Sequence, residues 1–326
     1  MNGVVVLWGE SCHDQRVILP ALPAIAPMLT FLFSTILALL LNLGIGLPAQ
    51  AQAAIDSTSA VLAPAISTQS DTQSDTQSGS TPAPPQVDYE RLEDLRNKAF
   101  TATNEGKFEA AEQYWSDLIE LLPQEPALWS NRGNARVSQN KLNEAIADYN
   151  QAIQLAPEAP DPYLNRGTAL EGLGKFEDAI ADYNHVLELD PNDAAAYNNR
   201  GNAEGGLGNW EAAVADYEKA AKLAPDFVFA RANTALATYQ IGQTDEAIRQ
   251  MKNLVRKYPN FADMRAALTA ALWNRGDRGE AESNWVAAVG LDKRYKQIDW
   301  VVEVRRWPPA IAQALEEFLT LGKVVK

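Results

Sequence analysis

Residues 160–193 read PDPYLNRGTALEGLGKFEDAIADYNHVLELDPND, with Tyr163 and Gly167 four apart, then Gly174, then Ala179 and Tyr183 four apart, and Pro191 near the end. Bulky and small residues at i and i+4 share one helical face, a glycine between two such faces marks a turn, and a proline ends the second. Outward from this stretch the beat continues. Proline recurs at Pro123, Pro157, Pro225 and Pro259, always 34 residues apart, and alanine keeps the same interval at Ala111, Ala145, Ala179, Ala213, Ala247 and Ala281. A fixed period of this length predicts helix–turn–helix units that bury their faces only by stacking on one another.

These positions resemble the tetratricopeptide repeat (TPR). The resemblance implies an all-α, right-handed superhelical solenoid of about six TPR helix pairs followed by a C-terminal cap helix. Aligned on the beat, the units run over 92–125, 126–159, 160–193, 194–227, 228–261 and 262–292. Unit one has Ala99 at the small helix A position, and unit six has Thr269 and Lys293 where Gly and Pro are expected, as suits an end unit.

Composition narrows the functions available. The chain of 326 residues has one cysteine, Cys12, and two histidines, His13 and His185, so disulfides, Cys/His metal sites and a Cys–His nucleophile pair lack raw material. No metal, cofactor or catalytic residue is expected, and the chain reads as a non-enzyme. The formal charge is −14, although residues 292–326 hold seven Lys or Arg against five Asp or Glu, so the acid lies in the body of the chain. That body repels a nucleic-acid backbone.

Residues 1–53 read as an export signal, with apolar Met28 to Leu41, then Gly44, Gly46 and Pro48, and cleavage after Ala51 or Ala53. The rival is an uncleaved anchor, since Met28 to Leu47 nearly suffices to span a bilayer. Residues 54–91 are rich in Ser, Thr, Gln, Asp and Pro, repeat Gln-Ser-Asp-Thr over 69–76, and are expected to be a disordered linker.

Within the repeats, the position two before the small helix A residue is Asn97, Asn131, Asn165, Asn199 and Asn233. The resemblance implies that helix A lines a concave groove in which such amides hydrogen-bond an extended peptide, and Asn134 and Asn202 share the face. The competing reading has these amides satisfying neighbouring helices. The comparable groove sites Ser130, Asp161, Leu164, Asn198, Phe229 and Ala232 carry none of the Lys and Arg of a carboxylate clamp, so chaperone-tail capture is not carried over. Asp161 and Glu171 make a neutral or mildly basic segment the better guest.

Arg132, Arg166 and Arg200 occur only in the units that carry Asp148, Asp182 and Asp216 sixteen residues later, which predicts structural ion pairs within or between units. Trp115, Tyr149, Tyr183, Tyr217 and Trp285 on helix B are expected in the core, and His185 on a solvated face.

Residues 293–326 form a basic and aromatic segment ending in a helix from Pro309. Two roles are open: a cap on the solenoid, or a docking element in which Arg305, Arg306 and Trp307 anchor a partner or an acidic lipid surface. The signal, linker, repeats and closing Arg305-Arg306-Trp307-Pro308-Pro309 together resemble exported cyanobacterial TPR proteins related to a chloroplast thylakoid-lumen TPR family. That resemblance implies a lumen or periplasm setting and protein partners such as photosystem subunits or assembly factors. The expected function is a protein–protein interaction scaffold assisting assembly or maintenance of a membrane complex. The alternative is a membrane-anchored, self-associating organiser acting through its C-terminal segment.

Overall fold

The computed structural model describes residues 89–324, and the side chains up to 320. The expected signal or anchor, and nearly all of the linker, lie outside the described residues. Within them are fourteen α-helices, one 3-10 turn and no strand. Helices A are α1 (Tyr89–Asn104), α3 (Pro126–Ser138), α5 (Pro160–Gly172), α7 (Ala194–Gly206), α9 (Val228–Gln240) and α11 (Ala262–Arg275). Helices B are α2 (Phe108–Leu121), α4 (Leu142–Leu155), α6 (Phe176–Leu189), α8 (Trp210–Leu223), α10 (Thr244–Lys257) and α12 (Arg278–Leu291). A 3-10 turn (Lys293–Lys296), α13 (Ile298–Glu303) and α14 (Pro309–Val324) follow.

Each helix begins and ends for a local reason. The residue after every A helix's last turn must take a left-handed backbone, and glycine supplies it at Gly106, Gly174, Gly208, Gly242 and Gly276. In unit two Asn140 stands there with φ 61°, asparagine being among the non-glycine residues that tolerate this region. Helices B end two residues before each repeat proline, which forces the preceding residue into extended backbone. Unit six lacks the proline, and its chain runs on into the 3-10 turn, with Asp292 accepting a hydrogen bond from the Arg294 amide.

Packing explains the small/aromatic pattern. A Cβ added at Gly167 would lie 2.6 Å from the Tyr183 ring, and Gly133 and Gly201 meet Tyr149 and Tyr217 in the same way. The missing side chain is therefore the slot in which the helix B aromatic sits. Trp115, Tyr149, Tyr183 and Tyr217 are buried, while Trp285 is half-buried and packs edge-on against Phe318 of α14, centroids 5.1 Å apart.

A helices of successive units approach one another more closely than any successive B helices at three joints, α3 with α5, α5 with α7 and α9 with α11, which sets helices A on the inner side there. The solenoid is not uniform along its length. From α9 to α14 one continuous apolar core runs from Ala232 to Phe318, whereas the preceding units hold separate small clusters, such as Leu170, Ala179, Tyr183 and Ala203.

Candidate functional site

The arginines of helices A do more than pair within a unit. Arg166 donates from Nε and Nη2 to Asp182 at 2.9 and 2.6 Å, and from Nη1 to Asn150 of the preceding unit at 2.6 Å. Arg200 repeats this with Asp216 and with Asn184, and Arg132 with Asp148 and Ser116. Each guanidinium also lies over the aromatic ring three residues earlier, Trp129, Tyr163 or Tyr197. A planar fork with five donors can satisfy a carboxylate bidentately and still reach a third acceptor, which lysine cannot do. Of the two expected placements, the Arg–Asp pair lies within a unit, and the contact to the unit before goes to an amide or hydroxyl instead. Its acceptor, on the beat Ser116, Asn150 and Asn184, follows the helix B aromatic by one residue, a periodic signal visible in the sequence but not read from it.

At the junction of units one and two, burial raises the Glu112 carboxyl, but hydrogen bonds from Lys141, Arg136 and Gln139 outweigh it and carry the group down to about 2.

The asparagines divide into two sets. Asn134 accepts from the Tyr149 hydroxyl at 2.7 Å and Asn202 from the Tyr217 hydroxyl at 2.9 Å. Asn233, buried, donates to Asn198 at 3.1 Å and Asn202 at 3.4 Å, and Asn199 reaches Thr168 at 3.5 Å. Asn134 thus ties helix A to helix B inside its own unit, Asn202 does so and also receives Asn233 of the next unit, and Asn199 and Asn233 join neighbouring units. Asn131 and Asn165 are half-buried, Asn97 is exposed, and their carboxamides have no partner among the described residues. Two consecutive A helices thus leave a free amide at the same register.

Of these two helices, α5 carries the acids, Asp161 and Glu171, while α3 has none. Burial, helped by Asp193, raises the Asp161 carboxyl to about 6, and its Oδ2 has no partner among the described residues. His185 is half-buried, its ring 4.2 Å from that of Tyr163, rather than solvated as expected.

The C-terminal segment turns inward. Tyr295, Arg305 and Trp307 all donate to one oxygen of buried Asp263, at 2.6, 3.1 and 3.0 Å. Trp307 is only 4% exposed, and α14 lies against α11 and α9, where the Ala310 amide donates to Gln240 of α9 at 2.7 Å. Trp307 and Arg305 are therefore placed as interior groups, not as the outward anchors of the docking expectation, because Asp263 offers the acceptor their polar atoms need. Arg306 alone keeps an exposed side chain, and its Nη1 lies 3.6 Å from Glu171 on α5. Asp263 itself drew no attention in the sequence. A single acid in the first turn of the last helix A, facing a basic and aromatic tail, was the available signal.

Among the described residues no group of three or more His, Cys, Asp or Glu side chains is placed to hold a metal ion. No helix among them is long and apolar enough to cross a membrane.

Models described as TPR repeat match residues 133–174 and 172–205, and models described as tetratricopeptide repeat match 194–227 and 231–260. A tetratricopeptide repeat protein from Parabacteroides merdae superposes with a TM-score of 0.55 at 23% identity, over 72% of this chain and 88% of that one. A chain of the APC/C hetero-tetramer Cut9–Hcn1 gives 0.53 at 20% identity, over 63% and 43%. The first TPR of Spaghetti (RPAP3), bound to the HSP90 peptide SRMEEVD, is 30% identical over 38% of this chain and 99% of its own, with a TM-score of 0.36. No curated protein matches the chain.

Proposed function

We propose, from the premise that this chain is a tetratricopeptide-repeat protein and so an interaction scaffold, that it is a non-enzymatic adaptor holding an extended segment of another protein against its A helices. The observation that carries this reading is the pair of free carboxamides on Asn131 and Asn165. An amide offers one acceptor and two donors, the complement of a peptide unit, and side chains already held by a rigid stack lose little freedom on binding. Asn97 belongs to the same register at the exposed end. The chain's N-terminal composition supports export, and its resemblance to exported TPR proteins of a thylakoid-lumen family supports a lumen or periplasm setting and service to the assembly or maintenance of a membrane complex there.

The test is direct. Extended peptides selected by display on the whole chain are measured by fluorescence anisotropy against the parent and against Asn131→Ala/Asn165→Ala. Loss of about tenfold in affinity at unchanged melting temperature is expected from two lost hydrogen bonds. Equal affinity removes the groove amides from the mechanism. For the setting, the mass of the mature chain and its cross-links to photosystem subunits or assembly factors decide: an uncut chain that cross-links only to itself ends this reading.

A further inference from the structure

Glu171 stands in the last turn of α5, a helix A, with its side chain 14% exposed. A carboxylate so placed needs donors to replace the water it has lost. It has poor ones. The Tyr183 hydroxyl is 3.4 Å from Oε2, and Arg306 is 3.6 Å from Oε1, beyond hydrogen-bond distance. Burial accordingly raises the Glu171 carboxyl to about 7, with Arg306 and Tyr183 opposing the shift.

Arg306 does not reach Glu171 through a contact strong enough to hold it. Its side chain is 48% exposed, and its backbone is left-handed at φ 51°, a conformation that costs a non-glycine residue about 1 kcal/mol. What places it are its neighbours, Arg305 and Trp307, both fixed on Asp263. A long, half-exposed ion pair contributes little, so Arg306 can leave Glu171 while the rest of the segment stays docked.

We propose that Glu171 is a receptor for a basic side chain, Arg or Lys, carried by the partner's extended segment, and that Arg306 is an internal occupant which this side chain displaces. The proposal rests on the groove reading above and adds to it the chemistry of the guest. The acidic character of the same helix, with Asp161 at its other end, favours the same guest. Arg306 thereby sets a threshold, because a neutral segment gains nothing by displacing it.

The experiment uses the full chain as parent, Arg306→Ala, Glu171→Gln and the double variant. A display library of random decapeptides is selected on the parent, on Arg306→Ala and on the double variant. The expected result is a position enriched in Arg or Lys on the parent and on Arg306→Ala, lost on the double variant. The enriched peptide should bind Arg306→Ala about threefold more tightly than the parent and Glu171→Gln about tenfold more weakly. Selected peptides with no basic preference, or the same preference without Glu171, overturn the proposal. If those peptides still depend on Asn131 and Asn165, the groove reading survives that failure; if no peptide is selected on any form, both fall. Should Glu171→Gln fail to fold, the threefold gain at exposed Arg306→Ala remains decisive, and its absence overturns the proposal.

Discussion

The indole Nε1 of Trp307 donates to Asp263 at 3.0 Å across 44 residues of sequence. That oxygen also receives Tyr295 and Arg305, so one carboxylate fastens the segment after the sixth unit to the first turn of α11. Asp263→Ala leaves a buried guanidinium, indole and phenol without their acceptor. The variant should lose about 3 kcal/mol. Hydrogen exchange should show residues 293–320 losing protection while α3 to α8 keep theirs; uniform loss would mean that the clasp is not local.

Asp182→Ala removes both bidentate bonds to Arg166 and leaves a largely buried cation bonded only to Asn150. A destabilisation of about 3 kcal/mol is expected by urea titration. Arg166→Lys should recover little of the parent's stability, since one ammonium cannot span Asp182 and Asn150 together. A melting temperature equal to the parent's in the first variant would refute the structural role of the ladder.

Two glycine substitutions should move stability in opposite directions. Gly167→Ala drives a methyl to 2.6 Å from the Tyr183 ring and should cost about 1–3 kcal/mol. Gly290, inside α12, has open space at its Cβ, so Gly290→Ala should stabilise by up to about 1 kcal/mol through helix propensity. Equal effects in thermal melts would count against the packed slot.

The pH dependence follows from groups shifted in opposite senses. Asp161 is raised from 3.8 to about 6, so the folded state holds its proton more tightly than the unfolded state does. Its cost is absent below about pH 4, grows as pH rises between the two values, and is complete above about 6. Asp161→Asn should therefore stabilise the chain at pH 8 by about 1 kcal/mol, after discounting for its partial exposure, and leave it unchanged at pH 3.5. Glu112 runs the other way: its contribution is present above 4.5 and lost as pH falls toward 2.

Much of the architecture was legible because it repeats. The prolines, the turn glycines and the Arg–Asp pairs each recur on the 34-residue beat, and five of the six expected units start at the first residue of an A helix. Asn140 could be placed at the turn only by its position on the beat. The amides of Asn134 and Asn202 were misleading for the same reason that the repeats were readable: periodicity shows which face a residue occupies but not which neighbour claims it, and here the tyrosine hydroxyls do. The inward turn of Trp307 rests on Asp263, which occurs once and has no periodic counterpart, so neither composition nor spacing pointed to it. The readings for residues 1–53 concern sequence outside the described residues.

The contrast between one long apolar core from α9 to α14 and separate small clusters before it has a mechanical meaning. Drawn out from its two ends, the array is a spring of two stiffnesses. The early coils, joined by guanidinium forks and small apolar patches, yield one after another, while the last two coils and the tail give way together. A guest seated across the early coils would bridge the joints that open first under such a pull.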